Sequence, residues 1–198
     1  MILSIDSLCT RTFSLNWPSM NFCSHCGNTI TIRIPEGDNR ERHVCDQCDS
    51  VHYQNPRIIA GCIPISGKRI LLCKRAIAPR LGYWTLPAGF LENGETVIQG
   101  ALRECHEEAR AQLETPTLFG MYDIPHINQV YIFYQGQLVD DSYAPGEESL
   151  KVELFHEHEV PWNELAFPVI TQALEQFFSV PATDDSAICT GTINRRLR

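Results

Sequence analysis

Apolar positions gather into strand-length runs over 57–65 and 69–74, and Ser66-Gly67-Lys68 between them is a hairpin signal. Trp84, Thr85 and Leu86 form a further short run, and 118–122, 130–138 and 150–155 repeat the pattern later in the chain. Between these groups the period changes. Over residues 96–113, Val97, Ala101, Leu102, Cys105 and Ala109 recur at three- and four-residue steps, which is the apolar stripe of a helix. Residues 167–178 carry the same helical spacing. The order strands, helix, strands, helix predicts an α+β fold, a mixed sheet with helices packed on both sides.

The polar side of the first helix is unusual. Glu104, Glu107 and Glu108 are expected to share a face apart from the stripe, and like charges three and four residues apart cost an isolated helix about 0.2–0.5 kcal/mol per pair. A cation among the carboxylates would offset that repulsion. Oxygen-only donors suit Mg²⁺ or Mn²⁺, which keep waters and bridge to phosphate groups, whereas zinc would recruit His or Cys. Upstream, Pro87 and Gly89 interrupt the run at Trp84, so the carbonyls of Ala88 and Gly89 are free to face the helix, and Asn93-Gly94 provides a tight turn. The expectation is a phosphate-bearing substrate.

A second pattern lies near the start. Cys23 and Cys26, then Cys45 and Cys48, are two CxxC pairs separated by eighteen residues. This spacing reads as a four-thiolate zinc site, with 30–34 and 42–44 forming a short hairpin between the pairs. Such a zinc has no open position for substrate, so its expected role is to fold a module too small to bury a core. Cys9, Cys62, Cys73, Cys105 and Cys189 are scattered among apolar neighbours and read as small buried hydrophobes in a reducing compartment.

With 198 residues and 43% apolar content, the chain can hold one substantial core and a small appendage. A cytoplasmic location is expected, since no apolar run reaches membrane-spanning length and residues 1–19 lack the charge pattern of a secretory leader. Met20 lies just before the first cysteine pair and is the expected working start, with 1–19 an extension or loose tail. A net charge of −8, with Arg33, Arg40 and Arg42 outweighed by Glu36, Asp38, Glu41 and Asp46 in the cysteine module, argues against nucleic acid as the partner. Docking or dimerisation is the expected role of the module, and a homodimer is compatible with it. The expected organisation is an extension over 1–21, a zinc ribbon over 22–54, a main domain over 55–180 and a flexible tail over 181–198.

The main motif is specific enough to compare with a family. Gly89, Glu95, Arg103-Glu104, Cys105, His106 and Glu107-Glu108 stand at the spacings of the signature of the Nudix hydrolases, which the chain resembles. The glycine that this pattern places next is Arg110 here, and the absence of a left-handed glycine cap suggests a helix running on to about Leu113. The ribbon, the link His52-Tyr53-Gln54-Asn55-Pro56-Arg57 and the core occur together in one group of the family, so the likeness covers about residues 22–178. It implies the Nudix α/β/α sandwich preceded by a small zinc ribbon.

The resemblance also implies an activity: hydrolysis of the diphosphate linkage in a nucleoside diphosphate derivative, with ADP-ribose and FAD foremost. NADH and NAD-capped RNA are demoted, because 119–125 lacks the SQPWPFPxS-like stretch of the NADH pyrophosphatases. Pro125, fourteen residues past Ala111, falls one or two short of the proline common in ADP-ribose hydrolases. Glu104, Glu107 and Glu108 would hold magnesium with the Ala88 or Gly89 carbonyl, Arg103 would orient Glu107, and Glu95 would bind metal through water or pair with Arg103. The base is either a box glutamate or one on a later loop, where Glu148 is preferred over Glu147 and Glu153. Arg75 and Arg80 are candidates for phosphate, and Tyr53, Trp84 and Tyr131 for a stacked ring. Two other classes stay open, a nucleotide sensor without turnover and a housecleaning triphosphatase.

Overall fold

A computed structural model describes residues 20–179 and 188–194. The expectations for residues 1–19, Cys9 among them, lie outside the described residues. The chain divides into two compact units, Met1–Asn55 and Pro56–Arg198.

In the first unit three antiparallel strands lie in the order β1-β2-β3: β1 (Ile30–Arg33), β2 (Arg42–Cys45) and β3 (Val51–His52). Ile30 pairs with Cys45 and Arg33 with Arg42, so the hairpin brings the two CxxC turns together. Asp38 fixes the connection: its carboxylate accepts from Arg42 Nε at 2.8 Å and from the N–H groups of Asn39 and Arg40.

The second unit is built on one mixed sheet. Its strands are β4 (Arg57–Ser66), β5 (Arg69–Arg75), β6 (Trp84–Thr85), β7 (Ala88–Phe90), β8 (Leu113–Ile124), β9 (Gln129–Leu138), β10 (Ser149–Phe155) and β11 (Cys189–Thr192). The main order is β10-β5-β4-β9-β8-β11, with β6 on β5 and β7 on β4. β4 runs parallel to β9 and β11 parallel to β8, while the other pairs are antiparallel. The helices are α1 (Val97–Ala109) and α2 (Pro168–Ser179).

Both faces of the sheet are covered, which is why β4 and β5 read as unbroken apolar runs. Along β5 the side chains alternate between two cores. Ile70 and Leu72 join Phe133, Val169, Ile170 and Leu174 beneath α2, whereas Leu71 and Cys73 join Cys62, Ala101, Cys105 and Ala109 beneath α1. Cys62, Cys73 and Cys105 are buried, as small hydrophobes should be. The helix expected over 167–178 is α2.

Three expectations need correction. First, α1 stops at Ala109, because Arg110 takes the left-handed conformation at φ 53° and its N–H bonds to the His106 carbonyl. Residues 113 onward are strand instead. Second, Cys189–Thr192 is not loose tail but an edge strand, paired from Cys189↔Gly120 to Thr192↔Asp123. Gln176 ties this edge to the body by accepting from Tyr122 and donating to the Thr190 carbonyl. Third, the strand expected over 118–122 extends from Leu113 to Ile124, since its edge half exposes too many polar positions to show as an apolar run.

Candidate functional site

Thr96 caps α1 at its start: its hydroxyl accepts from the Gln99 N–H at 3.3 Å, and the Gln99 side chain accepts from the Thr96 N–H at 2.8 Å. With the start fixed, Arg103 points toward the loop before the helix. Its Nε and Nη2 reach Glu95 at 3.1 and 2.8 Å, Nη1 reaches Glu104 at 2.6 Å and Glu107 at 3.0 Å, and Nη2 also donates to the Phe90 carbonyl. Arg103 therefore orients Glu104 as well as Glu107, and Glu95 pairs with it. Those hydrogen bonds, with one from the Glu92 N–H, hold Glu95 down at about 2.

The three helix carboxyls share a side of α1 but not an environment. Glu107 is exposed, Glu104 is mostly covered, and Glu108 is buried at 6% exposure alongside Cys105 and Ala109. Burial pushes Glu108 up to about 8, against the pull of a hydrogen bond from the Ala88 N–H at 3.2 Å, and the charges of Glu104 and Glu148 push the same way. Burial also raises Glu104, against Arg103, with Glu107 and Glu148 adding to the effect. Behind Glu108 the thiol of Cys73 is itself pushed up by burial and by the Glu108 charge, against the opposing pull of the Ser149 side chain.

β7 supplies the opposite wall. A Cβ on Gly89 would lie 2.2–2.4 Å from the Glu104 carboxyl, so a larger residue here would push that carboxyl out of its place. Ala88 touches Glu108 and Gly89 touches Glu104. Glu104 and Glu108 are carboxyls whose charged forms burial disfavours, Glu107 lies beside them held by Arg103, and the backbone group that β7 gives Glu108 is the Ala88 N–H; a hard divalent cation drawn to the carboxylate oxygens would restore the charged forms.

The later candidates separate. Glu148 lies close enough for its charge to raise both Glu104 and Glu108, and Glu153 pairs with Lys151. Arg75 acts on Glu108 and on Tyr131, its Nε donates to the Pro79 carbonyl at 2.9 Å, and its guanidinium lies over Phe167. Arg80 lies over the Tyr83 ring at 5.2 Å. Of the aromatic candidates, Trp84 is core, packed edge-on against Phe155 with ring centroids 5.0 Å apart. Tyr131 is half-buried beside Phe133, and Tyr53 is exposed in the cysteine unit beneath Arg42.

The sequence reading missed how the loop of Glu148 is held. Ala144 N–H donates to the Ala109 carbonyl at 2.9 Å and Gly146 N–H to the Glu108 carbonyl at 3.0 Å, both at the end of α1. Pro145-Gly146 in an acidic loop was the available signal, and nothing in it names the helix end as partner.

In the first unit the Sγ atoms of Cys23, Cys26, Cys45 and Cys48 all lie within 4.8 Å of one another. Cys23 and Cys48 are 3.6 Å apart, and Cys26 and Cys45 are 3.5 Å apart. A tetrahedral zinc at about 2.3 Å from each sulfur would separate them by about 3.8 Å. Hydrogen bonds from the Asn28 side chain and backbone hold Cys26 down at about 6 and those of Ser50 lower Cys48, whereas Cys45, despite a backbone hydrogen bond from Cys48, is pushed up to about 11 by burial and by the neighbouring thiols of Cys26 and Cys48. The cluster is able to coordinate a metal.

Family models match both units: a Nudix N-terminal zinc-ribbon model over residues 21–54 and the NUDIX domain over 55–177. The chain belongs to the Nudix hydrolase superfamily. A crystal structure of a NUDIX hydrolase from Nitrosomonas europaea has 50% sequence identity and a TM-score of 0.85, covering 89% of this chain and 100% of that one. Among curated relatives, the ADP-ribose pyrophosphatase of Methanocaldococcus jannaschii is 30% identical over 121 residues, 58% of this chain and 69% of that protein. The NAD-capped RNA hydrolase NudC of Edwardsiella ictaluri is 35% identical over 98 residues, 48% of this chain. The match spans only 35% of that NudC protein's length. Among the described residues of this Nudix protein, no helix is long and apolar enough to cross a membrane.

Proposed function

We propose that this Nudix protein hydrolyses the diphosphate linkage of a nucleoside diphosphate derivative, ADP-ribose or FAD, and releases a nucleoside monophosphate. The observation that carries the reading is the buried Glu108 carboxyl, pushed up to about 8 and set beside Glu104, Glu107 and the Gly89 backbone. Glu104, Glu107 and Glu108 would hold Mg²⁺ or Mn²⁺, with the carbonyl of Ala88 or Gly89 as a further ligand. When bound, the ion neutralises phosphate charge and lowers the pKa of water. Glu148 takes the proton of the attacking water as its oxygen bonds to one phosphorus and the bridging P–O bond breaks. Arg75, close enough to act on Glu108, receives a phosphate oxygen, and Arg80 is a second candidate for that contact. Cys23, Cys26, Cys45 and Cys48 hold a structural zinc. We place the protein in the cytoplasm, acting on a small nucleotide in preference to nucleic acid, and a homodimer is compatible with this reading.

A second reading, a NAD-linked diphosphate, is favoured by the names of the NudC relatives and disfavoured by residues 119–125, which end β8 without the NADH pyrophosphatase stretch. The deciding experiment is release of nucleoside monophosphate from FAD, ADP-ribose, NADH and a dNTP mixture with Mg²⁺ or Mn²⁺. Selective turnover of ADP-ribose or FAD that disappears in the Glu107→Gln Glu108→Gln double variant is expected. Preference for NADH selects the second reading, preference for dNTPs a housecleaning triphosphatase, and binding without turnover a sensor.

A further inference from the structure

The last carbonyls of a helix have no partner within it, and most helix ends leave them to water or to a single capping residue. In α1 they are taken by two different pieces of chain. Arg110 N–H bonds the His106 carbonyl, while Ala144 and Gly146 N–H bond those of Ala109 and Glu108. The loop lies flat on the helix end at this point. A Cβ on Gly146 would be 1.7 Å from the Glu107 carbonyl oxygen and 3.2 Å from the Glu108 Cα, so no other residue fits without displacing the loop.

Beyond Gly146 the chain turns at once. Ser149 N–H donates to the Gly146 carbonyl at 3.1 Å, which makes a four-residue turn with Glu148 in its third position. The far side is pinned as well: Ala76 N–H donates to the Glu148 carbonyl at 2.7 Å, and Ser149 pairs with Arg75 at the start of the β10–β5 ladder. Glu148 thus stands between one anchor on α1, which bears Glu104, Glu107 and Glu108, and another at the end of β5, which bears Arg75.

We propose that Gly146, with Ala144, is a positioning residue: its close seat on the end of α1 sets the Glu148 carboxylate against the helix glutamates. The inference rests on Glu148 being the base, as proposed above. Helix capping alone would stabilise α1 and leave Glu148 irrelevant to the consequence, and that difference is measurable.

The test is a double-mutant cycle between Gly146→Ala and Glu148→Gln, read as kcat and KM for ADP-ribose, or FAD if that is turned over, with Mn²⁺ affinity measured on each variant. Gly146→Ala is expected to lower kcat by about 30-fold, since a displacement near 1 Å can cost about 100-fold, with KM and Mn²⁺ affinity within about twofold. In the Glu148→Gln background the same substitution is expected to add less than about twofold, because the group it positions is already gone. Equal losses in both backgrounds would overturn the positioning role and leave the base assignment standing. Full activity of Glu148→Gln would remove the base assignment and the inference together. If Gly146→Ala does not fold, Ala144→Pro deletes the other tether without adding a clash at Gly146. A loss of about fivefold confined to the Glu148 background then supports the inference, and an equal loss in both backgrounds ends it.

Discussion

Glu108 is a carboxyl whose charged form the fold disfavours, and that has a consequence for metal affinity. With its folded value raised to about 8, Glu108 is mostly protonated at neutral pH in the metal-free protein. A carboxyl raised in this way contributes stability that is fully present below its ordinary value near 4.5 and is lost as pH rises through about 8. Metal binds the ionised form, so each ion bound must release that proton. Apparent Mn²⁺ affinity is therefore expected to rise by about tenfold per pH unit from 6 to 8 and to level off above. Titration calorimetry in two buffers of different ionisation enthalpy checks both the slope and the proton released. Glu108→Gln should flatten the profile, and a flat profile in the unaltered protein would show that metal binding does not draw on a raised Glu108 carboxyl. The i, i+3, i+4 spacing of the glutamates was legible in the sequence. Their unequal burial was not, because it depends on the Ala88 N–H and the Cys73 wall, contributed by strands distant in sequence.

At the scale of elements, the end of α1 shows how a missing residue type misleads. With no glycine at 110, the helix reads as longer, yet Arg110 adopts the left-handed conformation and stops it at Ala109. What imposes the stop is tertiary: the loop carbonyl partners at Ala144 and Gly146 occupy the space a further turn would need. Arg110 then carries the cost of a conformation that glycine adopts freely. Arg110→Gly is expected to stabilise the protein by about 0.5–1 kcal/mol, raising the melting temperature by about 1–4 °C, with kcat unchanged. A differential melt and a turnover assay read both, and destabilisation would mean that the exposed arginine side chain makes a contact worth more than the strain. Periodicity found the elements wherever a run is buried on both faces or striped on one. It failed at β11 and the first half of β8, where the strands lie at the edge of the sheet and their pairing, rather than an apolar pattern, holds them.

At the scale of the molecule the two units are stabilised by different means. The Nudix unit has two apolar clusters, one on each face of its sheet. Among the described residues of the cysteine unit, the buried apolar positions are Cys23, Pro35, Val44 and Cys45, so apart from two proposed ligands the core is one proline and one valine. So small a core cannot by itself offset the conformational entropy lost in ordering some thirty residues. Metal coordination at the four cysteines is the proposed source of the remaining stability. Chelation is expected to release zinc at about one equivalent per chain and to abolish amide protection over residues 22–54. Protection in β4, β5 and β9 should persist, because their clusters include none of the four cysteines. Hydrogen exchange with and without chelator, beside elemental analysis, reads all three. Loss of zinc with protection over 22–54 intact would show that packing holds this unit after all. Collapse of protection in both units would show that the metal supports the whole fold.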